Sequence, residues 1–418
     1  MHGGDWTSFE ETYGKMPLDF SANISPLGVP EKVKQAVIRA VGEADRYPDP
    51  YCRQLRGALG ETEQIPPEYI LCGNGAADLI WRLAAAMSRG SRRAEYDADR
   101  DGKQGTDCDA RRGTKTLLPI PGFSEYRAAL EACGCAVETY ALREEENFRL
   151  TERFLPVLQD FLASCNTAEK RTCGQQMPGN AKGEKRAESG NAAGKYRGSV
   201  WLCEPGNPSG VTTDPALLRQ ILEYCGKAGV LLVIDECFLE LTDDPEGHTM
   251  KGMLQEYPNL LILRAFTKTY AMAGLRLGCC LCSDTDLLGR MQEAGQPWGV
   301  SHIAQAAGMA ALADTEYRDR VRALIREERP VLQHGLEEQG FRVIPGEANF
   351  LLFYDRNAKG IPEHTGMSSD LSDRLEKEGI LIRGCSDFEG LSDGWYRVAV
   401  RTKEENQKLL NTLARIDK

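Results

Sequence analysis

The sequence predicts an α/β fold: a mostly parallel central sheet with helices on both faces, plus a smaller α+β domain. Three observations predict it. Between residues 70 and 264, strand-like and helix-like stretches alternate at 70–73, 76–87, 116–120, 124–133, 199–203, 214–228, 230–235 and 260–264. This βαβ rhythm builds parallel sheets, because each crossover helix returns the chain to the same end of the sheet. Val230-Leu-Leu-Val-Ile-Asp-Glu236 is a continuous apolar run ending in two acids, as expected of a strand buried on both faces. From about Asp314 the rhythm changes. A long polar helix over roughly 316–339 leads into strands near 341–344 and 348–354, a helix near 369–378, strands near 380–383 and 395–400, and a last helix.

Each element has its local reason. Tyr69-Ile-Leu-Cys-Gly-Asn-Gly-Ala-Ala-Asp78 reads as strand, glycine-rich turn and helix start. The backbone amides at such a helix start, with the positive end of its dipole, suit a phosphate. Pro121-Gly-Phe-Ser-Glu-Tyr126 places an aromatic, Phe123, at a strand-to-helix turn. Trp201-Leu-Cys-Glu-Pro-Gly-Asn-Pro-Ser-Gly210 is a short strand broken by two prolines and two glycines. Leu277-Gly-Cys-Cys-Leu-Cys-Ser283 contains a Cys-x-x-Cys spacing, but successive strand side chains point to opposite faces. Those cysteines are expected to act as small apolar residues, with no metal site. Two stretches, 88–115 and 164–197, are dense in charged and small residues and poor in apolar ones. They are expected to be flexible surface inserts, since they bury too little to offset chain entropy.

The chain has 418 residues, enough for a full core, and its hydrophobic content of 41% is ordinary for a globular protein. Its net charge of −11, from 51 basic and 62 acidic residues, opposes nonspecific nucleic-acid binding. No apolar run approaches ~20 residues, so no membrane span is expected. Fourteen cysteines scattered through predicted strands and helices suggest reduced thiols and a cytoplasmic location.

The chemistry concentrates in Arg264-Ala-Phe-Thr-Lys-Thr-Tyr-Ala-Met-Ala-Gly-Leu-Arg276. An apolar strand delivers Lys268 into a segment of small residues, and Arg276 follows. A buried or cation-flanked lysine loses its proton readily and can form a Schiff base with an aldehyde. Arginine presents a planar fork of donors to phosphate. An aldehyde that carries a phosphate describes pyridoxal 5′-phosphate (PLP). PLP needs a carboxylate at its pyridine nitrogen, because the protonated ring is the electron sink. Asp235, at a strand end where α/β sheets place ligands, is the candidate. Asn207 is suited to bond the phenolate oxygen and Phe123 to stack on the ring.

The order is phosphate turn, stacking aromatic, Asn-Pro turn, strand-end Asp, Lys, then Arg. In that order, from about residue 2 to about residue 402, the chain resembles the fold-type I PLP enzymes, the aspartate aminotransferase superfamily. His2-Gly-Gly-Asp5, Leu18-Asp-Phe-Ser-Ala-Asn-Ile-Ser-Pro-Leu-Gly28, Arg46-Tyr-Pro-Asp-Pro50 and Ile380-Leu-Ile-Arg-Gly-Cys-Ser386 resemble the branch of histidinol-phosphate aminotransferases and threonine-phosphate decarboxylases. The opening His-Gly-Gly, the Ser-Ala-Asn-Ile run, Trp395-Tyr-Arg-Val-Ala-Val-Arg-Thr402 and Phe238 lie nearer the decarboxylases. The aminotransferases usually carry at the position of Phe238 a tyrosine that bonds the phenolate. The family's usual Asn-Pro-Asn-Asn-Pro-Thr-Gly is Glu204-Pro-Gly-Asn-Pro-Ser-Gly210 here, and the hydroxyl often found three residues before the lysine is Ala265.

The resemblance implies a large PLP-binding domain over 46–313 and a small domain made of 1–45 and 314–418. It implies catalysis by Lys268 and Asp235, with the cofactor phosphate held by Gly75, Ala76, Thr267 and Arg276. Tyr47 is expected to reach that phosphate from the second subunit of a homodimer. Arg397 and Arg383 are expected to grip the substrate's anions, with His2, Asn23 and Ser25 beside them. The expected activity is decarboxylation of L-threonine O-3-phosphate to aminopropanol phosphate in cobalamin synthesis, or transamination of the histidinol-phosphate type.

Overall fold

The computed structural model describes residues 3–100, 114–172, 195–356 and 370–416. In chain order its first strands are β1 (Leu18–Asp19), β2 (Ile70–Gly73), β3 (Lys115–Ile120), β4 (Ala136–Ala141), β5 (Gly198–Cys203), β6 (Leu231–Asp235), β7 (Leu260–Ala265) and β8 (Gly278–Leu281). Seven of them form one sheet in the order β2-β8-β7-β6-β5-β3-β4. Strands β3 to β7 run parallel, whereas β8 is antiparallel to both its neighbours, β7 and β2. Their side chains divide by parity. Leu232, Ile234 and Ile262 enter the core on one face, and Leu231, Val233, Leu261 and Leu263 enter the other. The cysteines follow the same rule: Cys279 joins the first core, while Cys280 and Cys282 join the second.

Strand β4 is absent from the sequence reading. It is an edge strand with no buried residue, so it lacks the apolar run that marks its neighbours. The two polar stretches also begin and end inside the fold. The helix starting at Gly75 runs to Arg100 rather than stopping at Met87. A helix over Phe154–Thr172 carries Leu162 and Cys165 into the core. At the far end of the second stretch, Lys195 Nζ and the Tyr196 hydroxyl both bond Asp284 Oδ2, at 2.9 Å and 2.7 Å. The intervening parts, 101–113 and 173–194, lie outside the described residues.

The second sheet is antiparallel. Strands β9 (Arg342–Val343) and β10 (Phe350–Tyr354) are followed by β11 (Ile380–Leu381), β12 (Arg383–Gly384) and β13 (Trp395–Ala399), and the sheet order is β12-β13-β10-β9. Strand β1 pairs in parallel with β11, and Phe20 is buried in this second core. Val33, on the helix Glu31–Val41, enters the core of the seven-stranded sheet instead.

The helix Thr315–Glu338 joins the two cores. Tyr317, Val321 and Ile325 pack into the core of the seven-stranded sheet, and Leu332 and Leu336 into that of the second sheet. Pro330 sits between these sets, where it removes one main-chain donor from the helix ladder. Among the described residues, no helix is long and apolar enough to cross a membrane.

Candidate active site

The carboxyl ends of β3, β5, β6 and β7 open on one edge of the large sheet, as parallel strands in βαβ units must. A cavity of about 900 Å³ lies there, lined also by residues of the N-terminal segment and by Arg383 and Arg397 of β12 and β13. Strand β7 ends at Ala265, and a single helical turn, Phe266–Thr269, then presents Lys268 to the cavity. Its Nζ lies 5.3 Å from the centre of the Phe238 ring. Burial, then the Arg397 charge, pushes the ammonium down to about 8, with Arg276 adding to the effect and Asp235 opposing it. The Lys268 carbonyl accepts the Ser25 amide at 2.8 Å, which ties the lysine turn to the N-terminal segment.

Strand β6 ends in Asp235 and then Glu236, and the alternation of the strand separates them. Asp235 faces the cavity. Its Oδ2 accepts the Tyr126 hydroxyl at 2.6 Å, and its Oδ1 accepts the Cys237 amide at 3.0 Å. Glu236 turns away into a buried cluster, 2.7 Å from Arg264 Nη2 and 2.9 Å from the Thr249 hydroxyl. Tyr126 was not among the expected site residues. It stands in the quoted turn, but no spacing rule joins residues this far apart in the chain. Burial, then the Asp235 charge, raises its phenol well above the usual value, so it stays protonated and donates to the carboxylate.

Of the expected residues, Ala76, Phe123, Asn207, Thr267 and Arg276 line the cavity with Lys268 and Asp235. Gly75 lies just behind them with φ +81°, and a Cβ there would stand 2.6 Å from Arg276 Nη2. The absence of a side chain is what lets the guanidinium lie against the helix start. Arg397, Arg383 and Asn23 line the same cavity. Arg397, on β13, is buried; one guanidinium nitrogen donates to Asn207 Oδ1 and the other to the Ser21 carbonyl at 3.3 Å. Burial, with Arg383 nearby, lowers it to about 10. Arg383 Nη2 donates to both carboxylate oxygens of Asp387, each at 2.8 Å. Asn23 is 2% exposed, and among the described residues neither end of its amide has a hydrogen-bond partner.

Two expected residues stand apart from the cavity. The Ser25 hydroxyl bonds the Tyr317 hydroxyl at 2.7 Å, so its contact with Lys268 is through the main chain. Tyr47 is 81% exposed and stacks on Trp298 with ring centres 4.5 Å apart. His2 lies outside the described residues.

With a lysine of lowered basicity, a bonded strand-end carboxylate and an arginine laid on a glycine turn, the site has the parts of a PLP pocket. The family model for aminotransferase class I and II matches residues 15–413. The chain belongs to the aminotransferase class I and II family. Among relatives in this family is the threonine-phosphate decarboxylase of Salmonella typhimurium, 31% identical over 99% of this chain and 96% of that protein. Another is the histidinol-phosphate aminotransferase of Symbiobacterium thermophilum, 30% identical over 95% of this chain and 89% of that protein. Among solved structures, the histidinol-phosphate aminotransferase of Clostridium acetobutylicum matches with a TM-score of 0.73 at 24% identity, covering 96% of this chain and 99% of that one. This likeness shows the shared fold. The aminotransferase class I and II family uses PLP. The residues present fit it, because the buried Asn23 amide beside the cavity has no partner among the described residues and the Gly75 turn leaves room for the Arg276 guanidinium at the cavity wall.

Proposed function

We propose that this chain is a PLP-dependent lyase that decarboxylates L-threonine O-3-phosphate to (R)-1-aminopropan-2-yl phosphate and CO₂, a step of cobalamin synthesis, in the cytoplasm. Phe238 carries the choice of reaction. Its ring lies beside Lys268 and packs edge-on against Phe350, with ring centres 5.0 Å apart. It offers no hydroxyl where aminotransferases of this branch usually have one. The decarboxylase relative, which spans nearly the whole chain, supports the same reading.

When bound, PLP withdraws electrons from the substrate's Cα, so that whichever bond stands perpendicular to its ring is weakened. The chain's own residues do the rest. Lys268 would hold the cofactor's aldehyde carbon and carry the proton at Cα, because its amine is neutral over part of the physiological pH range. Asp235, fixed by Tyr126 and the Cys237 amide, would hold the proton on the pyridine nitrogen. Thr267, Arg276 and the amides of Gly75 and Ala76 would hold the cofactor's phosphate, Phe123 would pack beside it, and Asn207 would bond its phenolate oxygen. Arg397 anchors a substrate anion and so selects which bond stands perpendicular. Arg383 is the second anion contact, freed from Asp387 by exchange of one anion for another.

The second reading is transamination of histidinol phosphate, favoured by the Symbiobacterium relative. One experiment separates the two. L-threonine O-3-phosphate is incubated alone, beside histidinol phosphate with 2-oxoglutarate, and the products are identified by mass spectrometry. Aminopropanol phosphate and CO₂ over many turnovers are expected in the first tube. Sustained glutamate in the second, with no CO₂ in the first, would replace the lyase reading.

A second copy of the chain completes the proposal. Tyr47, Ile38 and Val41 are 81%, 72% and 55% exposed, and such apolar exposure marks surfaces that associate. A homodimer covers them and brings Tyr47 to the neighbouring site.

A further inference from the structure

The N-terminal helix Trp6–Tyr13 and the glycines before it form a strap across the mouth of the cavity, with Gly3, Gly4 and Trp6 on its lining. One carboxylate holds the strap and the wall beneath it together. Asp19 is 4% exposed. Its Oδ1 accepts the Ser21 amide at 2.7 Å, the Ser21 hydroxyl at 2.6 Å and the Ala22 amide at 3.2 Å. Its Oδ2 accepts the Trp6 indole N–H at 2.6 Å. The strap also touches the turn directly: the Gly4 amide donates to the Ser21 hydroxyl at 2.8 Å, and a Cβ on Gly3 would stand 2.3 Å from the Ser21 carbonyl oxygen. That same carbonyl accepts Arg397 Nη2. The next residue but one is Asn23, with its unpartnered amide.

We propose that Asp19 is a positioning residue for substrate recognition. It locks the Ser21–Asn23 turn, so that the Ser21 carbonyl aims Arg397 and the Asn23 amide stays turned to the substrate's anion. Trp6 latches the strap onto the same carboxylate, so that closure of the mouth and the aim of Arg397 are one event. The inference rests on the reading of Arg397 as the anion anchor. Its physical basis is the number of donors. A carboxylate that accepts four hydrogen bonds in a buried place holds them more stiffly than neutral acceptors do. A guanidinium whose Nε has no partner among the described residues depends on its remaining bonds for orientation. Apart from Phe9, the strap buries no side chain of its own helix, so few contacts other than these hold it shut.

The test compares PLP-loaded wild type with Asp19→Asn, Trp6→Phe and Ser21→Ala. Hydrogen exchange is read at residues 3–13 and at the Ser21 and Ala22 amides, and the affinity for L-threonine O-3-phosphate and for histidinol phosphate is measured by titration. Trp6→Phe, which removes the indole donor and the five-membered ring but keeps an aromatic side chain, should speed exchange in the strap and leave the turn protected. Asp19→Asn should speed exchange in both and weaken whichever phosphorylated ligand binds by about tenfold or more, while the cofactor is retained. Ser21→Ala should act in the same direction less strongly, and it decides the matter if Asp19→Asn does not fold. Wild-type affinity in Asp19→Asn, or exchange in the strap unmoved by Trp6→Phe, overturns the proposal. So does a loss of protection spread through the whole small domain, which would make Asp19 a fold residue only. If wild type binds neither ligand, the functional reading fails by itself, and the exchange data still judge the latch.

Discussion

Lys268 illustrates how much the surroundings alter one side chain. Burial and the Arg397 charge bring its ammonium down to about 8 from 10.5. Capture of PLP by the cofactor-free protein should therefore speed up as the pH rises and level off above about 8, where the amine is neutral. Arg397→Ala removes a positive neighbour and admits water, and both effects raise the lysine value. Stopped-flow capture rates against pH should show the midpoint move upward in that variant; an unmoved midpoint would mean that Arg397 does not bear on Lys268. Glu204 behaves in the opposite sense. Burial raises its carboxyl from 4.5 to about 8, with Glu236 and Glu347 nearby, against the pull of Thr213, whose amide donates at 2.9 Å. Its second oxygen has no partner among the described residues. The folded state keeps a proton that the unfolded chain releases, so stability should fall as pH rises from about 4.5 to about 8 and level off above. Glu204→Gln, which mimics the protonated form, should abolish that fall and stabilise the protein at pH 8 by roughly 1–3 kcal/mol. Denaturant melts of both proteins at the two ends of that window check it; parallel curves would refute it.

At the scale of elements, the junction of β2 with the helix Gly75–Arg100 carries the proposed phosphate cradle. The junction works because Gly75 takes a left-handed backbone and leaves room for Arg276. Gly75→Ala should cost about 1–3 kcal/mol of backbone strain and should also push the arginine off the turn, so PLP should dissociate more readily. Gly57, in the helix Arg53–Glu63, is the control. A Cβ there meets nothing within 4 Å, and Gly57→Ala should be neutral or stabilising by up to about 1 kcal/mol. Equal PLP retention in the two variants, read by dialysis and absorbance, would dismiss the cradle. The same scale shows where the sequence was legible. Strands β5, β6 and β7 were readable because both their faces are buried, which leaves unbroken apolar runs. Strand β4 was not, because an exposed edge strand has no such run. The polar tails of the helices ending at Arg100 and Thr172 were not readable either, since a helix extended from a packed segment needs little apolar surface of its own.

On the scale of the whole molecule, the site is assembled from pieces far apart in the chain: the N-terminal turn, four strand ends of the large sheet and β13 of the small one. The helix Thr315–Glu338 is rooted in both cores, so it ties the sheet that carries Arg397 to the sheet that leads to Lys268. Tyr47 belongs to this scale as well, because it lies outside its own chain's cavity. Tyr47→Ala and Lys268→Ala are each expected to lose most activity. Mixed under conditions that exchange subunits, they should regain part of it through hybrid dimers that carry one intact site. A full-activity monomer by light scattering, or no recovery on mixing, would remove Tyr47 from the partner's site.

The sequence by itself determined the fold class, the order of the chemical groups and the identity of Lys268, Asp235, Asn207 and Arg276 as candidates. These are local properties: apolar runs, turn residues and side-chain chemistry at strand ends. It could name two adjacent acids, but facing is a matter of sheet geometry, and only the tertiary structure turned Asp235 to the cavity and Glu236 to Arg264. Only the tertiary structure brought Tyr126 to Asp235, Arg397 to Asn207 and Trp6 to Asp19. Each of these contacts closes a long loop of chain. Its existence depends on how whole layers pack, and no pattern of neighbouring residues encodes that.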